Sequence, residues 1–263
     1  MDHTNDLVYT RLSLFLKGSF DANISQSHCI RNPAFTSDGH HLNRFDVVVS
    51  QPPFLDSNWG YDEAQEDNYN RFQYGFPPKK VGDYGYISHM LASLKATGVM
   101  IVVLPQGALY RGAREAEIRE NIIKDNLLDA VIVLPGKLLS NTNVPVAILV
   151  FNKGKKENDI LFIDASQDFE SGKTTNKLLP EHVSKITQTY KQRETVDKYS
   201  SLVSTQEIEN NNFNCNIPRY VDSLEVKNPE EFNVLKSERQ RLLKTLDVTV
   251  NDIKKYSTAL DLH

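Results

Sequence analysis

The sequence predicts an α/β fold built on a mostly parallel sheet. Short runs of apolar, β-branched residues recur at Phe45–Val49, Val99–Pro105, Asp129–Leu134, Val144–Phe151 and Leu161–Ala165. Segments with helical periodicity separate most of them, the alternation expected of a sheet with helices on both faces. Runs also lead into Pro52, Pro105 and Pro135, and proline cannot donate to a ladder, so each ends a strand. In open α/β sheets the carboxyl ends of strands are where ligands bind.

The bulk properties narrow the function. The 263 residues leave room for one large domain, or one domain and a tail. Hydrophobic residues make up 40% and charged residues 24%, ordinary values for a globular protein. A net charge of −4 advertises no basic field for nucleic acid. That argues against a self-sufficient DNA binder, but not against a subunit whose partner supplies contacts. Cys29 and Cys215 form no CxxC pair, and the histidines are scattered. A disulfide framework and a metal site are therefore not expected, and a reduced, cytoplasmic compartment is the default. No apolar run approaches the roughly 18 residues of a membrane span. The start, Met1-Asp2-His3-Thr4, is unlike a signal peptide.

Taken in order, residues 7–17 place apolar groups on most of a helix surface and predict a buried helix, with Gly18 as its stop. Asn23–Ile30 is a strand candidate, and Asn32-Pro33 with Ser37-Asp38-Gly39 is a turn-rich connector. Phe45–Val49 reads as a strand buried on both faces. Leu55–Lys80 is a long loop carrying Trp59, Tyr61, Tyr69, Phe72, Tyr74 and Phe76. Its rings either stack on a base or tack the loop to the core. Asp83 caps a helix over Tyr84–Ala96, which Gly98 ends. The helix Arg114–Asn126 turns Ile118, Ile122 and Ile123 inward. Past Ala165 the chain becomes polar, with helices at Pro180–Tyr190 and from Thr205. From Pro229 a charged helix spaces Leu235, Leu242, Leu246, Val250 and Ile253 by threes, fours and sevens. Such a helix packs on its own domain or on a partner. Residues 1–165 thus read as the sheet domain, 166–228 as an irregular and helical flank, and 229–263 as an amphipathic helix suited to docking.

The chemistry concentrates in Phe45-Asp46-Val47-Val48-Val49-Ser50-Gln51-Pro52-Pro53-Phe54. Pro52 holds Gln51 extended. An amide side chain, backbone carbonyls and an aromatic ring then sit together at a strand's carboxyl end. With this stretch come Tyr74-Gly75-Phe76-Pro77-Pro78, Asp83-Tyr84-Gly85-Tyr86-Ile87, Gly98–Pro105, Gly107–Gly112, Glu117-Ile118-Arg119, Leu128–Pro135 and Thr142–Pro145. Later come Asn211-Asn212-Phe213-Asn214 and Ile217–Val221. In this order the segments resemble the modification subunit of type I restriction–modification systems, an adenine-specific DNA methyltransferase that uses S-adenosylmethionine.

The resemblance implies a Rossmann-like methyltransferase sheet, here partial, with a helical carboxyl tail. The family's tetrapeptide is Asn-Pro-Pro-Phe or Tyr; this chain has Gln51, Pro52, Pro53 and Phe54. In the family the amide oxygen and the first proline's carbonyl accept hydrogen bonds from the amine of a flipped adenine, and the aromatic stacks on the base. The family also places a Phe-x-Gly-x-Gly turn after its first strand to cradle the cofactor. No such turn is found, which implies an amino-truncated chain lacking the cofactor half. Ser27–Pro33 resembles the segment where an Asp contacts the cofactor's adenine, and His28 stands at that position. Lys79, Lys80, Arg111 and Arg114 flank strand ends and contact DNA phosphates or form a solvated surface. The implied partners are DNA, a DNA-specificity subunit, a restriction subunit and a separate chain carrying the glycine-rich half. Impaired methyl transfer and a non-enzymatic assembly role both fit these departures. An uncovered sheet half also predicts an oligomer.

Overall fold

The structure is a computed structural model describing residues 3–140, 142–223, 236–243, 245–246 and 249–250. It opens with helix α1 (His3–Leu16). This is not the buried helix its composition predicts: Val8, Tyr9, Leu12, Phe15 and Leu16 are all exposed. Apolar groups on several sides of a helix need cover on several sides, and periodicity cannot say whether the cover is present. Asn23–Ile30 forms no strand. Instead β1 (Thr36–Ser37) and β2 (His41–Leu42) make a small hairpin around Asp38 and Gly39, at φ 57° and 73°.

The main elements follow: β3 (Phe45–Ser50), α2 (Tyr61–Ala64), α3 (Asp83–Ala92), β4 (Leu94–Pro105), α4 (Arg114–Lys124), β5 (Leu128–Val133), β6 (Val146–Asn152), β7 (Asp159–Asp164), α5 (Pro180–Gln192), β8 (Ser200–Ser204) and α6 (Thr205–Asn210). Six strands form one sheet in the order β3-β4-β6-β5-β7-β8. β3, β4, β5 and β7 point one way, and β6 and β8 run against them. The α/β fold and its majority direction are as predicted. The inserted β6 returns antiparallel because the chain between β5 and β6 holds no crossover helix.

Two features differ from expectation. α3 stops at Ala92, and Gly98 lies inside β4. A Cβ on Gly98 would stand 3.0 Å from the Phe45 carbonyl oxygen, so this glycine lets β3 approach β4. The second difference is larger. Among the described residues β3 is an edge strand, bonded to β4 alone, with Phe45, Val47 and Val49 exposed at 41%, 59% and 67%. Only Val48 turns toward the core. A β-branched run fits a pleated surface but does not distinguish a central strand from an edge.

One face of the sheet packs Met100, Val102 and Leu104 against Tyr84, Ile87 and Leu91 of α3 and Ile118 and Ile122 of α4. The same cluster takes in Phe213, Cys215, Ile217 and Val221, so residues 200–221 add β8 to the sheet and side chains to the core. The other face sets Ile132, Leu161 and Ile163 against Ile186 and Tyr199. Met1–Asp222 forms one compact unit and Ser223–His263 a second. In the second unit residues 236–243 are helical. The rest of the predicted carboxyl helix, including Leu235 and Ile253, lies largely outside the described residues.

Candidate active site

β3 delivers the tetrapeptide at its carboxyl end, beside the end of β4 and the start of the segment Gln106–Gly112. Gln51 and Pro53 are exposed, Pro52 is buried, and Phe54 is half-buried. The Phe54 ring belongs to a cluster with Ile101, Val103 and Ile148. It is thus anchored on the sheet and remains partly exposed.

The residues after the tetrapeptide are tied to α3. The N–H of Leu55 donates to Asp83 Oδ1 at 3.1 Å, and Tyr86 Oη donates to Asp56 Oδ2 at 2.8 Å. Asp83 is fully buried and ion-paired with Arg111, which also bonds Glu115 on α4. The loop beyond is pinned by Trp59, which is completely buried and whose indole N–H donates to the Pro78 carbonyl at 3.1 Å. A Cβ on Gly82 or Gly85 would overlap the Trp59 side chain, so two glycines one turn apart make the slot for this ring. Tyr61, Phe72 and Phe76 surround it edge-on or tilted, with centroids 5.7, 6.2 and 6.1 Å away. Of the two readings of the loop aromatics, attachment to the core holds for these four rings.

The segment Gly107–Gly112 is clasped from below. Arg119 is 4% exposed and donates to the carbonyls of Ala108, Arg111 and Phe213 at 3.3, 3.2 and 2.6 Å. Tyr84 Oη adds a bond to the Ala108 carbonyl at 2.8 Å, and the Cys215 N–H meets the Leu109 carbonyl at 2.9 Å. Nothing in the sequence singled out Arg119 for this task. The one usable signal was the i, i+4 spacing of Glu115 and Arg119, which puts them on one side of α4, with Arg111 just ahead of that helix.

The other sequence-derived residues scatter. His28 is half-buried, and its Nδ1 faces the backbone N–H groups of Ile30 and Arg31, both at 3.3 Å. Burial, and then the Arg31 charge, hold its pKa below the ordinary value, which favours a neutral ring. The ring lies 6.5 Å from that of Tyr86, which joins the His28 segment to the residues after the tetrapeptide. Lys79 pairs with Asp62 at 2.9 Å and sits 5.3 Å over the Tyr61 ring. Exposed Arg114 lines a shallow depression with Tyr61, Gln65, Phe76 and Glu117. Lys80 is exposed, while Arg111 is turned inward on its two carboxylates.

A cradle for S-adenosylmethionine needs backbone exposed by a glycine turn after a buried strand. Among the described residues ahead of β3 the only strands are the two-residue β1 and β2. Gly18 follows α1 and Gly39 closes the hairpin. These residues do not fit the cofactor's methionine portion.

Comparison with known proteins agrees with this geometry. The chain matches the family model of the N-6 DNA methylases over residues 3–229. It is 34% identical over 233 residues to the MjaVIII type I restriction enzyme methylase subunit of Methanocaldococcus jannaschii, covering 83% of this chain and 40% of that protein. It is 32% identical over 196 residues to the MpnII type I methylase subunit of Mycoplasma pneumoniae, covering 73% of this chain and 36% of that one. The crystal structure of the type I restriction–modification methyltransferase subunit from Streptococcus thermophilus superposes with a TM-score of 0.66 at 34% identity, over 73% of this chain and 41% of that one. The chain spans about 40% of the length of such relatives. With most of its length matched and the tetrapeptide at the carboxyl end of β3, the chain belongs to the N-6 DNA methylase family.

Proposed function

We propose that this chain is the adenine-holding part of a type I DNA methylase subunit. The supporting observation is the Gln51–Phe54 turn at the end of β3, with its following residues fixed by α3. A flipped adenine would stack on Phe54, and its exocyclic amine would donate to Gln51 Oε1 and the Pro52 carbonyl. These contacts orient the amine. The methyl group in this chemistry comes from S-adenosylmethionine, whose glycine-rich cradle the described residues do not supply. The edge of β3 that has no partner among the described residues is where the part of the fold carrying that cradle would join the sheet. Lys80 and Arg114 would contact DNA phosphates, and a DNA-specificity subunit would supply sequence recognition.

Gln51 bears on how well this works. Its amide is one methylene farther from the backbone than that of asparagine. A misplacement of about 1 Å costs on the order of 100-fold in rate. The test is adenine methylation by the protein co-purified with its native partners, comparing the natural chain with Gln51→Asn and Phe54→Ala. Loss of methylation in Phe54→Ala supports the reading. Methylation unchanged in Phe54→Ala and in a Gln51→Ala variant would refute it.

A second reading has one observation in its favour. The carboxyl unit exposes Leu242, Leu243 and Leu246, which suits docking on a specificity subunit with no chemistry of its own. Retention of the specificity subunit after Leu242→Glu and Leu246→Glu substitution would count against it.

A further inference from the structure

The tetrapeptide ends at Phe54, yet the group that fixes its exit lies on another element. Leu55 adopts φ 52°, a left-handed conformation that a non-glycine residue enters at a cost. Its side chain does not hold it there, because Leu55 is 47% exposed. What holds it is the hydrogen bond from its N–H to Asp83 Oδ1. Asp83 is the first residue of α3 and is inaccessible to solvent. One turn further along, Tyr86 takes the side chain of Asp56. α3 therefore grips two consecutive residues directly after Phe54.

Behind Asp83 stands Arg111, delivered by the segment after β4, and behind Arg111 stands Glu115, delivered by α4. Arg119 closes the arrangement by donating to the Arg111 carbonyl. A buried carboxylate stripped of its cation is strongly unfavourable, so the chain's route through Arg111 and the position of Asp83 are mutually dependent. Three elements converge on one backbone N–H. That N–H belongs to the peptide plane directly after Phe54, so holding it fixes the backbone on which the tetrapeptide ends.

We propose that Asp83 is a positioning residue for the adenine-holding turn, and that Arg111 is its internal counter-ion and not a phosphate contact. The proposal deepens the adenine-holding reading and rests on it. Asp83→Asn keeps the size and one acceptor but removes the charge that Arg111 answers. Arg111→Gln removes the cation, and Arg111→Lys restores one.

The test uses the protein with its native partners for kinetics, and the isotopically labelled chain for the Leu55 amide. In Asp83→Asn the Leu55 amide proton is expected to change shift and exchange at least tenfold faster, with amides of β7 unchanged. The methylation rate constant falls at least 30-fold while the KM for DNA moves less than threefold. Arg111→Gln follows Asp83→Asn, and Arg111→Lys recovers at least a third of the natural rate. If Asp83→Asn fails to fold, the Arg111 pair carries the same comparison. A Leu55 amide indifferent to both substitutions overturns the proposal. So does an Arg111→Gln effect confined to a raised KM and a shallower salt dependence, the signature of a lost phosphate contact. If the natural protein methylates nothing, the adenine-holding reading fails, and the Leu55 amide still decides whether Asp83 holds the turn.

Discussion

At Gln51 one methylene separates the amide from the place an asparagine amide would take. Because Pro52 is buried and Leu55 is bonded to Asp83, the backbone on either side has little freedom to retreat. Gln51→Asn is therefore expected to raise the methylation rate of the native assembly by roughly 10- to 100-fold. A single-turnover assay checks this, and an unchanged rate would show that the glutamine amide already reaches the base. Arg119 is a different kind of residue. It is buried, and its guanidinium serves three carbonyls from two distant segments. Arg119→Ala removes the guanidinium bonds to the Arg111 and Phe213 carbonyls, leaves Ala108 to Tyr84 alone and opens a cavity, at a cost of about 3–5 kcal/mol. Urea unfolding followed by circular dichroism should show it as a lower midpoint with an unchanged slope.

On the scale of elements, α3 carries most of the site's architecture: Asp83, Tyr86 and the glycine slot for Trp59 all lie within or beside it. It also carries His89, whose Nδ1 has no hydrogen-bond partner among the described residues. Burial, and then the Arg71 charge, depress the His89 pKa from 6.5 to about 4. Between those values the unfolded chain binds a proton that the folded chain refuses. The stability linked to His89 is thus complete above pH 6.5 and lost as pH falls toward 4, by on the order of 3 kcal/mol. Thermal melts from pH 7 to pH 4.5 should fall steeply for the natural chain and less steeply for His89→Leu. Parallel pH profiles would assign the acid sensitivity to other groups. The existence of α3, α4, α5 and β3 to β7 was legible because periodicity and proline stops are local signals, whereas the short strands β1, β2 and β8 carry too few apolar residues to stand out. The task of Arg111 was not. A basic residue beside a strand end looks the same in sequence whether it faces a phosphate or a buried carboxylate, and Asp83 lies 28 positions away.

For the molecule as a whole, the sheet order decides what surface is left open. The tetrapeptide was readable because its residue types and order are specific to their chemistry. The edge position of β3 was not, because Val47-Val48-Val49 reads the same in the middle of a sheet. With Val47 and Val49 exposed and one side of β3 without a partner among the described residues, the compact unit presents both apolar area and unpaired backbone groups. Such an edge recruits another strand. The chain alone is expected to self-associate in light scattering, and Val47→Lys with Val49→Lys should shift it toward the monomer. An unaltered mass in the double variant would place the contact elsewhere, with exposed α1 the next surface to test.

The clasp around Gly107–Gly112 gives the molecule an internal clock. Cys215 sits inside it, inaccessible to solvent, with its backbone on Leu109 and its thiol pKa pushed up to about 12 by burial. Cys29, the other thiol, is only half-buried, although burial raises its pKa as well. A thiol reagent should therefore label the chain in two phases, the first at Cys29 and the second limited by opening of the carboxyl segment. The slow phase measures how often residues 213–221 leave the core. Arg119→Ala should accelerate it far more than it accelerates labelling of Cys29. A pair of unremarkable cysteines thereby turns the lifetime of this clasp into a quantity read from a colour change.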